Sequence, residues 1–77
     1  MANFNDEEFI IRSYTRRELA MLYCPEETEK GAVRTLSYWI NTTPGLLKEL
    51  EKTGYRSGTR KLSSRQVRII INHLDPP

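Results

Sequence analysis

His73 and Cys24 are the single histidine and the single cysteine of the chain, so they are the first residues to weigh for catalysis. A hydrolytic site needs a nucleophile, a base and an orienting group within reach of one another. His73 stands four residues from the end, and Cys24 is followed by Pro25 without a local signature of a reactive thiol. Two such residues are too few for a metal site without carboxylates. No glycine-rich phosphate loop occurs. The reading is therefore of a non-enzyme, with no catalytic residue, no metal ligand and no cofactor. His73 is expected on the outer side of its helix and Cys24 at a helix end.

The residues better suited to chemistry are those that meet an anion. Lys30, Arg34, Tyr38 and Asn41 follow one another at helical spacing. Arg and Lys contact guanine or phosphate, Asn reads adenine, and Tyr bonds to phosphate. A second group, Arg56, Arg60, Lys61, Arg65 and Arg68, lies in a stretch from Gly54 to Leu74 that contains no acid. A one-signed segment sets up a local field for an anionic partner. The plainer alternative is a solvated face that keeps a small protein soluble.

These residues need elements to hold them. Phe9 to Tyr14 reads as a short strand or extended lead. Thr15 with Glu18 makes a capping box for a helix over 16–23, with Leu19, Leu22 and Tyr23 inward and Ala20 beside them. Pro25 stops it. Thr28 caps a second helix over 29–41, whose apolar face is Ala32, Val33, Leu36, Trp39 and Ile40. Lys30, Arg34, Ser37, Tyr38 and Asn41 fall on its other side. Thr43 and Pro44 read as a cap and first position of a third helix carrying Leu46, Leu47 and Leu50 inward, closed by Gly54. Residues 55–62 form a loop or a short hairpin. Ser63 with Gln66 repeats the capping box before a fourth helix, with Val67, Ile70, Ile71 and Leu74 inward. Arg65 and Arg68 sit on one flank of that helix near Asn72. Ile69 points away from its apolar stripe, as a lone exposed residue, a cover for the Phe9 region or part of a dimer seam. The predicted core joins Leu19, Leu22, Leu36, Trp39, Ile40, Leu50, Val67, Ile70 and Leu74.

Residues 12–23 and 60–71 read alike, with Tyr14 matching Leu62, Thr15 matching Ser63 and Glu18 matching Gln66. Either the likeness is chance, since capping boxes are common, or two extended segments each feed a capped helix and pair as a ribbon.

The whole has 77 residues, room for one domain. Residues 1–8 read as a flexible polar tail and 9–77 as a single helical domain. The net charge of +2 decides little, but Glu26, Glu27 and Glu29 form an acidic patch ahead of the second helix. No apolar run is long enough to span a membrane. A lone cysteine and a polar, acidic start unlike a secretory signal predict a cytoplasmic location.

The layout over 16–41, a short helix, a turn and a second amphipathic helix, is that of a helix-turn-helix, whose second helix enters the major groove. The connection from Cys24 to Thr28 is longer than the usual turn, and its acids would repel phosphate. In winged forms of that fold, a Gly-containing hairpin like the one open to residues 55–62 touches the backbone.

The chain resembles a family of short bacterial proteins of unknown function, abundant in gut anaerobes. The pattern runs through Tyr14, Glu18-Leu19-Ala20, Tyr23, Pro25, Ala32, Leu36, Trp39-Ile40, Leu47, Leu50, Gly54-Tyr55, Arg60, Leu62, Gln66-Val67 and Ile70. Cys24 and Gly31 depart from it. The resemblance implies a small DNA-binding domain and brings no established activity. The fold class is mainly α: a compact four-helix domain, helix-turn-helix-like, with a minimal two-stranded β ribbon as an option. The expected function is a small, regulatory DNA-binding module whose partner is double-stranded DNA. The alternative is a protein–protein adaptor with an acidic protein partner and no nucleic-acid role. No membrane partner is expected.

Overall fold

Two capped helices, each entered from a two-residue strand, hold the ends of the domain together in a computed structural model. The structure describes residues 9–77, and the polar tail expected over 1–8 lies outside the described residues. The elements are β1 (Tyr14–Thr15), α1 (Arg16–Tyr23), α2 (Glu29–Thr42), α3 (Leu46–Glu51), β2 (Lys61–Leu62) and α4 (Ser64–Leu74).

β1 and β2 pair antiparallel, with Tyr14 opposite Leu62 and Thr15 opposite Lys61. The internal likeness is thus realised in space. Tyr14 and Leu62 occupy equivalent places in the two repeats and face each other. Both capping boxes form. The Thr15 hydroxyl accepts from the Glu18 N–H at 3.0 Å, and the Thr15 N–H donates to the Glu18 carboxylate at 2.9 Å. Ser63 and Gln66 make the same exchange at 3.2 and 2.9 Å. The Thr15 N–H holds the Glu18 carboxyl below its ordinary pKa.

α1 packs chiefly on α2, and α4 on α3, while α2 and α3 meet across their connecting turn. Leu19, Ala20, Ala32, Leu36, Ile40, Leu46, Leu50, Leu62, Val67 and Ile70 are fully buried in one cluster. Burying a Leu or Ile side chain contributes roughly 1.5–3 kcal/mol, so a domain this small depends on each of them.

Several expected details differ. Leu22 is exposed rather than in the core, and Trp39 and Leu74 are half-buried at its edge. The inward stripe of α1 is Arg16, Leu19, Ala20 and Tyr23, and at 100° per residue Leu22 lies roughly 110° from its centre. Ile69 is buried rather than exposed, because α3 covers that flank of α4 and Ile69 lines the groove between them. Thr43 does not cap α3. It closes α2, its N–H bonding to the Trp39 carbonyl, and Gly45 precedes α3 with φ +83°. That left-handed residue prevents a helix from starting at Pro44. α2 runs one residue further than expected, to Thr42. The lead before Tyr14 is neither strand nor extended: it bends at Arg12 and folds back, so that the Tyr14 hydroxyl donates to the Ile10 carbonyl at 2.6 Å and Phe9 stacks on Tyr14 at 5.6 Å. No helix among the described residues is long and apolar enough to cross a membrane.

Two predictions follow from these contacts. Thr15→Ala and Ser63→Ala should each lower stability by about 1 kcal/mol in urea unfolding. The Tyr23 hydroxyl donates to the Asp75 carbonyl, and burial, then the Asp75 carboxylate, pushes its pKa up. A group that holds its proton more tightly when folded contributes stability below its unfolded pKa, about 10 for Tyr, and loses it as pH rises further. Stability should therefore fall above about pH 10, and Tyr23→Phe should flatten that fall in melts run across pH.

Candidate nucleic-acid interface

The outward stripe of α2 is open. Lys30, Arg34, Tyr38 and Asn41 are all exposed, Tyr38 by 64%. They recur at intervals of three and four residues, which places them along one line of a helix. Ser37, expected among them, is instead half-buried and holds the most connected polar group of the domain.

That group is the guanidinium of Arg16, a residue only 8% exposed. Its Nε donates to the Thr59 carbonyl at 2.9 Å and its Nη1 to the Ser37 hydroxyl at 2.9 Å. Its Nη2 donates to the Tyr55 hydroxyl at 2.7 Å and the Arg56 carbonyl at 3.2 Å. The guanidinium also lies 5.0 Å from the centre of the Tyr55 ring. The Arg16 backbone N–H donates to the Arg60 carbonyl at 2.6 Å. One side chain thus fastens the 55–60 loop both to the start of α1 and to the middle of α2. Sequence patterning missed it because an arginine stands at an apolar position. The only signal was its place, one residue after a capping Thr and on the Leu19 stripe.

The loop is a turn, not the hairpin open to the sequence. The Arg56 N–H bonds to the Thr59 hydroxyl and the Thr59 N–H to the Arg56 carbonyl, both at 2.9 Å. Lys61 and Leu62 pair with β1 instead of folding back on residues 55 and 56. No wing of that kind exists here.

The basic segment is divided by the fold. Arg56 and Arg60 are exposed on the loop that Arg16 ties to Ser37, and Ser37 adjoins Arg34, Tyr38 and Asn41 on α2. Arg60 lines a depression with Arg17 and Val33, and Lys30 lines its neighbour with the same two residues. Lys61 is exposed in β2, opposite Thr15. Arg65 and Arg68, by contrast, line the groove between α3 and α4 with Lys48, Lys52 and Asn72. Arg17, Lys48 and Lys52 were missed in the sequence. Glu18, Glu49 and Glu51 alternate with them and hide any one-signed run.

Acids stand at the start of α2. Glu27 accepts from the Thr35 hydroxyl at 3.1 Å, and Glu29 lies 3.5 Å from Arg17 in an exposed pair. His73 is half-buried rather than outward. Its Nδ1 lies 3.0 Å from the Ile69 carbonyl and its Nε2 3.6 Å from Glu49. Cys24 is buried, and burial, then the Glu27 carboxylate, pushes its thiol pKa up. A protonated, covered thiol is a poor nucleophile. Among the described residues no three of His, Cys, Asp and Glu stand together as a metal site.

Arg16→Ala strands two carbonyls and two hydroxyls, and Arg16→Lys cannot reproduce the planar fork. Each should cost roughly 3 kcal/mol or more in urea unfolding. Where the lysine variant remains folded, the amides of 55–60 should exchange faster with solvent than those of α4.

Comparison with curated proteins and with solved structures gives no match. A family model described as a domain of unknown function, DUF4248, matches residues 10–77. That span takes in the ribbon, all four helices and the loop fastened by Arg16, so the chain belongs to the DUF4248 family.

Proposed function

We propose that this chain is a small helix-turn-helix-like DNA-binding module of the bacterial cytoplasm, with a regulatory role and double-stranded DNA as its partner. The outer face of α2 lies in a groove, and the 55–60 loop rests on the adjoining phosphates. The observation that carries this reading is the position of the loop, which Arg16 ties to Ser37 so that Arg56 and Arg60 accompany Arg34, Tyr38 and Asn41. A small rigid domain meets one stretch of duplex, so the groove-reading and phosphate-contacting residues must share a side.

Arg34 and Asn41 have the chemistry to read base edges, and Lys30 and Tyr38 to hold phosphate beside them. Lys61 adds charge near the start of α1. Arg65 and Arg68, on the α3–α4 groove, contribute to the general field more than to the same contact.

The second reading is a protein–protein adaptor with an acidic protein partner. The acids Glu26, Glu27 and Glu29 favour it, since they oppose phosphate at the start of α2.

Fluorescence anisotropy with mixed duplex DNA at two salt concentrations separates the two. Phosphate-driven binding weakens steeply with salt; an adaptor shows no binding at either. Arg56→Gln should weaken all duplexes alike and lower the salt slope by about 1. Arg34→Gln or Asn41→Ala should change sequence preference by roughly 1–3 kcal/mol at one base pair.

A further inference from the structure

Arg16 carries its charge into the interior with no carboxylate against it. Its side-chain acceptors are two carbonyls and two hydroxyls, all neutral. A guanidinium has five N–H donors. Four are taken, and the fifth, on Nη1, has no partner among the described residues. Neutral dipoles satisfy the geometry of the buried cation but leave its charge unbalanced.

The same residue lines an open depression of about 450 Å³ together with Thr15, Arg17, Val33 and Arg60. Three of these five lining residues are arginines and none is acidic. The guanidinium fork matches the spacing of oxygens on a tetrahedral oxyanion, and its charge-assisted bonds are stronger than neutral ones. α1 begins at this place. The backbone N–H of Arg17, at the second helical position, has no acceptor within the helix, and the helix start favours negative charge.

The nearby acids do not fill the depression. Glu29 reaches Arg17 at 3.5 Å, but both side chains are more than 60% exposed, so that pair is weak. Glu18 is turned to the Thr15 N–H.

We propose that this depression is a seat for one phosphate group, gripped by Arg17 and Arg60 above the buried charge of Arg16. The phosphate comes either from a nucleic-acid backbone or from a free phosphorylated small molecule. The seat does not require the DNA reading, because its chemistry recognises the group and not the molecule that carries it.

The test is an amide NMR titration of the full chain with inorganic phosphate, against sodium chloride at equal ionic strength. Saturable shifts at Thr15, Arg16, Arg17 and Arg60 within the millimolar range are expected. Arg17→Gln and Arg60→Gln alter exposed side chains, so melting should be unchanged while each weakens phosphate binding about fivefold. Absence of saturable shifts, equal shifts with chloride, or unchanged affinity in both variants overturns the proposal. A short duplex then identifies the source. If it shifts the same amides and phosphate competes, the seat takes a backbone phosphate. If phosphate binds there and duplex does not bind at all, the ligand is a small phosphorylated molecule and the DNA reading alone fails. Duplex binding with no phosphate response at these amides removes the seat and leaves the DNA reading standing.

Discussion

A charged group buried without a counter-ion has few solutions in a small protein, and the solution adopted here for Arg16 governs the rest. Its four bonds reach three pieces of chain: the side of α2, the Tyr55 hydroxyl and the turn that follows it. Removing a guanidinium from water costs several kcal/mol, and each donor that finds a partner offsets part of it. That need for partners makes the loop part of the core. The residues from Gly54 to Arg60 contain no helix and no strand, yet they are set against α2. The orientation of Arg56 and Arg60 is thus inherited from a buried bond network and not from the composition of the loop itself.

Local chemistry was read well where it is written locally. Thr15 with Glu18 and Ser63 with Gln66 mark two helix starts, and Thr28 a third, because a hydroxyl three residues before a free N–H acts without help from distant parts of the chain. The start of α3 was misread for a related reason. Thr43-Pro44 carries a valid signal, but Gly45 adopts a left-handed conformation and the Thr43 N–H serves the end of α2. Leu22 and Ile69 show the other limit. Apolar spacing alone puts Leu22 inward, because it passes over Arg16 as an inward residue, and leaves Ile69 open between an exposed place, a cover for the Phe9 region and a dimer seam, because nothing local says that α3 covers that flank.

The candidate site was legible in type and only partly in place. The residues of the α2 stripe lie where helical periodicity puts them. In sequence the basic segment is one patch, whereas the fold parts it between the α2 flank and the α3–α4 groove. A charge run is read along one dimension, and its division depends on β2 leaving the loop to pair with Tyr14 and Thr15. Arg17, Lys48 and Lys52 lie among acids in sequence and join the cationic surfaces only in three dimensions.

The pairing of Tyr14 with Leu62 also bears on how the molecule comes to exist. The two residues stand 48 positions apart and form one of the two pairs of the ribbon. Bringing together the ends of so long a loop costs roughly 3 kcal/mol of chain entropy, and two-residue strands return little of it alone. The cost is offset only when α1 and α4 lay their stripes into the same core, so ribbon and core must appear together. During synthesis the partner of Tyr14 does not exist until residue 62 has been joined, and α4 is made later still. The emerging chain therefore carries α1 to α3 with apolar faces only partly covered. Folding of this domain therefore waits until β2 and α4 have both been made, and a ribosome that stalls within the loop holds a product whose first strand has nothing to pair with.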